Sequence, residues 1–272
     1  MLQFPNFSPD IAKFPLFGLQ LQIRWYGFLY VLSFILGYIL YKYNLKARGI
    51  KLEREKYESI LFHIMLGVII GGRVGYIIFY DLINYLKHPL DMFAVWQGGM
   101  SFHGGALGVI IAGLIFCRKN KLNFLYMADP AMPIVAIGLG LGRLGNFING
   151  ELYGKATDLP WGMVFPDSGG IAVHPTQIYE MILEGIVLGL VTQFILRKFK
   201  KIGLTFWSFI GLYGVFRFLI EFVRKPDELD FYRDFGYIFG FMSIGQFLSF
   251  LMILVSGYGI YRIYQNPVKP GK

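Results

Sequence analysis

Seven stretches of the chain are almost continuously apolar, at 24–43, 58–80, 94–116, 125–147, 175–196, 203–223 and 236–262. Each approaches or exceeds the roughly 20 residues that a helix needs to cross the hydrocarbon of a bilayer. No strand-period segments separate them, and residues 1–24 read as interfacial rather than spanning. The pattern predicts an all-α polytopic membrane protein of seven transmembrane helices, a single integral-membrane domain over 1–272. The connection at about 148–174 is long enough to form a cap or a docking element.

Composition agrees with a membrane class. Of 272 residues, 55% are hydrophobic and only 16% charged, against about 25% charged in soluble domains. The net charge of +9 could signal nucleic acid, but the basic residues sit in short loops and no nucleic-acid-binding motif is present. Anionic membrane lipids and topology account for the charge instead, and no nucleic-acid partner is expected. The loops after spans 1, 3 and 5 and the C-terminal end carry most of the lysines and arginines, among them Lys46, Arg48, Lys51, Arg118, Lys119, Arg197, Lys198, Lys200 and Lys201. The positive-inside rule then places the N-terminus outside and the C-terminus in the cytoplasm. Cys117 is the only cysteine, so no internal disulfide forms.

Arg73, Arg143 and Arg217 fall inside spans. An arginine at the centre of a membrane helix costs roughly 2.5–3.5 kcal/mol on insertion scales, so each calls for a partner, water or a function. With the predicted direction, Tyr26, Arg73, His103, Arg143, Asn146, Glu180, Glu184, Arg217, Glu221 and Gln246 all lie towards the outer ends of their spans, with Asn149 and Glu151 just beyond. Plainer readings stand beside a functional one. Arg217 and Glu221 have the spacing of an i, i+4 ion pair, Glu180 and Glu184 could neutralise Arg73, and His103, Asn146 and Asn149 could simply bridge helices. His63 and His88 lie away from the cluster and read as structural. The case for function rests on convergence at one depth.

The stretch "GLGLGRLGNFINGE" at 138–151 contains G-x-G-x-x-G, yet no strand precedes it, so the dinucleotide reading fails and close helix packing takes its place. Metal-ligand spacing is absent, and neither a metal nor a cofactor is expected. Guanidinium groups at the outer leaflet suit a phospholipid phosphate. A carrier for anionic lipid is the rival from another class. It predicts a midplane site between repeated halves, and no such repeat is visible.

"GRLGNFINGELYG" at 142–154 resembles the signature of the prolipoprotein diacylglyceryl transferase family. "RWYG" at 24–27, "SFHGG" at 101–105, "HPTQIYE" at 174–180 and "LYGVFRFLIEFVRKPD" at 212–227 are similar to further blocks of that family, in the same order. The resemblance implies a multi-pass enzyme of the bacterial inner membrane whose active site opens to the periplasm. It implies phosphatidylglycerol as donor and, as acceptor, a prolipoprotein signal peptide with a lipobox cysteine; the products are a thioether and glycerol phosphate. Carried onto these positions, His103, Arg143, Arg217 and Tyr26 are expected to be catalytic. Asn146, Asn149, Glu151, Gly154, Tyr213 and Glu221, together with Arg143, are expected to bind substrate.

Overall fold

The computed structural model describes residues 2–5, 7–16, 19–94, 98–225 and 237–269. In chain order the elements are β1 (Leu2–Gln3), β2 (Asp10–Leu16), β3 (Leu19–Arg24), α1 (Trp25–Ala47), α2 (Arg54–Tyr80), α3 (Leu82–Lys87), α4 (Phe102–Lys119), α5 (Phe124–Ala128) and α6 (Met132–Ile148). They continue with β4 (Met163–Val164), β5 (Ala172–Val173), α7 (Thr176–Glu180), a π-helical turn (Met181–Val187), α8 (Leu188–Lys198), α9 (Leu204–Ile220) and α10 (Ile244–Gln265). Among the described residues, five helical stretches are long and apolar enough to cross a membrane: Trp25–Ala47, Arg54–Tyr80, Phe124–Ile148, Thr176–Lys198 and Ile244–Gln265. The apolar α9 is shorter, at 17 residues.

Three expectations need correction. The stretch at 94–116 is not helical from its start. Gly98 and Gly99 take positive φ, and α4 begins only after Ser101, whose hydroxyl accepts from the Gly104 N–H and caps the helix. Likewise α10 begins at Ile244, where Ser243 and Gln246 form a capping box; position 236 lies outside the described residues. The chain is also not purely helical. β2 and β3 form an antiparallel hairpin leading into α1, and β1, β4 and β5 form a small sheet in the order β1-β4-β5. β1, β4 and β5, at two residues each, are too short to register in a hydropathy pattern.

Contacts divide the chain into two compact units, Met1–Arg48 with Ala128–Val268, and Gly49–Met127 with the C-terminal residues from Lys269. In the second unit α2 lies against α4 along a seam of glycines. A Cβ on Gly67 would stand 2.6 Å from the Gly108 carbonyl oxygen, and one on Gly75 would stand 2.6 Å from the Gly104 Cα. Small residues at four-residue spacing thus let two backbones touch, the means by which helices associate in lipid. Arg73, on α2, gives its guanidinium to backbone carbonyls of Asp91, Met92, Gly98 and Gly99 at 2.5–3.2 Å. It serves the loop before α4. His63 closes on the Ser59 carbonyl at 2.6 Å and packs edge-on against Phe116.

The first unit is tied at one end by a buried ion pair. Asp129 accepts from the backbone N–H groups of Gly203 (2.7 Å) and Phe206 (2.8 Å), capping α9, and pairs with Arg48 at 3.4 Å. Arg48 also donates to the carbonyls of Leu196 and Phe199 at the end of α8. One pair thereby satisfies orphan groups at two helix ends. At the other end the 150–174 loop has its own apolar centre, with Phe147, Met163, Phe165 and Val173 packed beneath Phe4 and Tyr153.

The glycine-rich stretch at 138–151 packs unevenly. Gly140 meets Gly185 backbone to backbone, whereas Gly138 and Gly142 face open space. Replacing Gly108 by Val should lower the thermal midpoint of the detergent-purified protein, with overpacking costing about 1–3 kcal/mol or more. Gly138→Ala should leave the midpoint unchanged or slightly raised, since helix propensity favours Ala by roughly 1 kcal/mol.

Candidate active site

The signature 142–154 folds as the end of α6 and the turn that follows it, and its residue types answer local needs. Gly145 leaves room for Tyr26, whose ring would stand 2.7 Å from an added Cβ. Gly150 takes φ +70° just past the helix, the usual way to release an α-helix. Leu152, at φ +61°, is held in the same unfavourable region without a glycine's freedom. Its neighbours hold it there: Thr176 donates to the Leu152 carbonyl at 3.0 Å and the Gln177 side chain to the Glu151 carbonyl at 2.6 Å. Glu151 accepts through one carboxylate oxygen from Asn146 (2.8 Å) and Asn149 (3.2 Å), locking the turn to the helix end. Gly154 lets the chain lie on Val223 and His174, with Lys155 N–H bonded to the Val223 carbonyl at 2.9 Å.

This turn sets α6 beside α7 and α9, and three guanidinium groups converge on one carboxylate. Glu180, 1% exposed, lies 3.0 Å from Arg143, 2.7 Å from Arg217 and 3.8 Å from Arg224. Arg217 also pairs with Glu221 at 3.4 Å, the i, i+4 contact expected from sequence, and Glu221 accepts from the Ser243 hydroxyl at 3.2 Å. Tyr213 stands on the same helix as Arg217, one turn before it, stacked on Phe209. Glu184, one turn beyond Glu180 in the π-helical turn, is fully buried, and neither of its oxygens has a hydrogen-bond partner among the described residues.

Two recesses open in the same unit. A polar cleft of about 350 Å³ is lined by Gln22, Arg24, Tyr26, Gly27, Asn149 and Glu151. An apolar groove of about 660 Å³ is lined by residues of α1, α6, the π-helical turn and α8, among them Leu144, Met181, Tyr43 and Arg197. A carboxylate that occupies three guanidiniums marks where a tetrahedral oxyanion can be held, since guanidinium forks bind carboxylate and phosphate by the same geometry.

Comparison with known proteins decides the family. The family described as prolipoprotein diacylglyceryl transferase matches residues 15–262. The chain is 48% identical to the phosphatidylglycerol–prolipoprotein diacylglyceryl transferase of Geobacter sulfurreducens, over 93% of this chain and 94% of that one. Identity is 45% to the enzyme of the same name from Bordetella avium, with the same coverage, and 44% to that of Vibrio parahaemolyticus, over 93% and 90%. The chain belongs to the prolipoprotein diacylglyceryl transferase family.

Of the residues expected to form this family's site here, the structure brings together Arg143, Arg217 and Glu221 around Glu180, and Tyr26, Asn146, Asn149 and Glu151 around the signature turn. His103 occupies an exposed position near the start of α4, in the other compact unit. Gly154 serves packing. Glu180 gathers Arg143, Arg217 and Arg224, and the hydrogen bonds of Arg73 go to loop carbonyls. Arg224, Gln177 and Thr176 lie in blocks that the sequence analysis singled out, but it gave none of the three a role. For Gln177 and Thr176 the signal was the motif "HPTQIYE", which places both one turn before the hub carboxylate.

Two outcomes follow. Glu180→Ala leaves buried guanidiniums without their shared counter-charge and should cost about 3–5 kcal/mol, read as a lower thermal midpoint in detergent. His174, on the loop side of α7, has its pKa lowered by burial and by Lys155. Its neutral form is therefore favoured by folding, so its contribution is present above the unfolded pKa near 6.5 and is lost as pH falls through the lower folded value. Thermal midpoints across pH 5–8 should fall on the acid side, with a shallower slope in His174→Gln.

Proposed function

We propose that this chain transfers the diacylglyceryl group of phosphatidylglycerol to the lipobox cysteine of a prolipoprotein signal peptide, in the bacterial inner membrane. The observation that carries the assignment of the site is the convergence of Arg143, Arg217 and Arg224 on Glu180. Arg143 and Arg217 hold the donor's phosphate beside that carboxylate. The headgroup glycerol reaches into the polar cleft beside Tyr26, Asn149 and Glu151, positioned with the help of Asn146. An acyl chain lies in the apolar groove along α6 and α8. Tyr213 and Glu221 flank Arg217 and fix its direction. In the membrane, seven spans with the N-terminus periplasmic put this end of α6 at the outer leaflet.

The reaction needs a thiolate, because a neutral thiol is a poor nucleophile. The cysteine sulfur attacks the glyceryl carbon that bears the phosphate, a C–S bond forms, and the C–O bond breaks with its electron pair going to the phosphate oxygen. Glycerol phosphate leaves. Negative charge grows on that oxygen, and preorganised guanidiniums in a site sheltered from water stabilise it as it develops. His103 is the proposed acceptor of the thiol proton, imidazole being the side chain most often used as a general base.

The test is transfer of labelled diacylglyceryl from phosphatidylglycerol to a lipobox peptide by the purified full-length protein in detergent. The native chain should yield thioether peptide and glycerol phosphate. Arg143→Ala should reduce turnover by about 10²-fold or more, and His103→Gln by about 10²–10⁴-fold. Normal turnover in Arg143→Ala would remove the phosphate assignment, and a near-native rate in His103→Gln would remove the base. No product from well-folded native protein, with lipid flux in liposomes instead, would favour a carrier.

A further inference from the structure

Glu184 is the one acidic side chain of this region that the reading above leaves without work. It is 0% exposed, and both carboxylate oxygens lack a hydrogen-bond partner among the described residues. It sits within the π-helical turn Met181–Val187, an irregularity that recurs at functional sites because it re-aims side chains at the expense of regular hydrogen bonding. The charged and titratable groups that face it come from every neighbouring element: Glu180 from α7, Arg143 from α6, Tyr213 and Arg217 from α9, and Arg224 just after α9. Glu221 completes the ion-pair set through Arg217.

The charge balance of this set changes when the donor arrives. Without lipid, three guanidiniums stand against the carboxylates of Glu180, Glu221 and Glu184, and the set is neutral with all three ionised. A phosphodiester brings one further negative charge. With Glu184 ionised the set would then carry an uncompensated charge in a low-dielectric interior, where such a charge is costly. The same arginines that balance Glu184 at a distance are also the ones the phosphate engages. Glu180 and Glu221 stay bound by direct contacts of 2.7–3.4 Å. Glu184 alone has no such contact, so it is the group that can accept a proton without breaking an ion pair.

We propose that Glu184 takes up one proton from solvent when the anionic lipid donor binds, keeping the arginine cluster neutral in the complex. It is a positioning residue: fully buried, it acts through the field at Arg143 and Arg217 and not by contact with the lipid. The inference rests on the assignment of the phosphate to these arginines. In atoms the step is one carboxylate plus one proton giving one carboxylic acid, coupled to entry of one phosphodiester. Linkage then fixes the sign. Affinity for the donor is full at low pH and falls as pH rises, by up to about tenfold per pH unit for one coupled proton.

The direct measurement is titration calorimetry of the full-length protein in detergent with phosphatidylglycerol, in buffers of different ionisation enthalpy, which counts protons taken up. Neutral diacylglycerol serves as the uncharged comparison. The native protein should take up about one proton with phosphatidylglycerol and none with diacylglycerol, and E184Q, a neutral isostere, should bind phosphatidylglycerol without uptake. The KM for phosphatidylglycerol should rise with pH in the native enzyme and stay flat in E184Q. Equal proton counts for the two lipids in the native protein would overturn the proposal without any variant, as would an unchanged pH slope in active E184Q. The donor reading is scored separately by thioether product: product without proton uptake defeats the Glu184 inference alone, while absence of both lipid binding and product defeats the reading beneath it as well.

Discussion

The structure of the first unit depends on one buried carboxylate. Glu180 holds Arg143 from α6, Arg217 from α9 and Arg224 from the segment beyond it, in a chain whose helices are otherwise apolar. In hydrocarbon an arginine has few ways to exist: it snorkels to the interface, finds water, or meets a counter-charge. Here three of them meet the same one. Because the three come from separate segments, the carboxylate also fixes how those segments stand against each other. The same arrangement makes the site ready for its ligand, since guanidiniums already oriented around one oxyanion need little reorganisation to receive another.

Around that hub the signature segment works as a splint. Its glycines and polar residues are not interchangeable parts of one ligand pocket. Gly145 makes room for Tyr26, Gly150 turns the chain at the helix end, and Gly154 lets the loop lie on Val223, while Asn146 and Asn149 share one oxygen of Glu151. Leu152 is the telling position, because a branched residue at positive φ persists only where its surroundings over-determine it. Thr176 and Gln177 do so, and both immediately precede the hub on α7. The turn and the arginine cluster are therefore one construction, bonded through the backbone between two sequence blocks that lie apart in the chain.

The opposite end of this unit shows the same economy in a purely structural setting. Arg48 and Asp129 satisfy the open carbonyls at the end of α8 and the open N–H groups at the start of α9. In the other unit the contacts are made by absence of side chain: Gly67, Gly71 and Gly75 meet Gly104 and Gly108. Polar pairs fix helix ends and glycines fix helix seams, which is the division of labour that lipid imposes on a protein without a hydrophobic driving force between its helices.

Much was legible along the chain. Long apolar runs and scarce charge announce membrane helices, and the motif blocks carry the family because their residue types are needed locally, at a turn, a cap or a close approach. The importance of Arg143 and Arg217 was visible too, since a cation inside a span is costly enough to demand a reason. What sequence could not assign was partnership. Glu180 was equally able to face Arg73, and Arg224 looked like any loop cation, because hydropathy and spacing say how deep a residue lies and which face of its own helix it occupies, but nothing about which face of another helix meets it. The late starts of α4 and α10 and the short strands escaped for a related reason: they are decided by caps and backbone pairing, which apolar runs do not record. Sequence fixed the solvent each residue must live in, through the cost of placing polar groups in hydrocarbon. Tertiary structure decided which charges neutralise which, because that depends on helices brought together from distant parts of the chain.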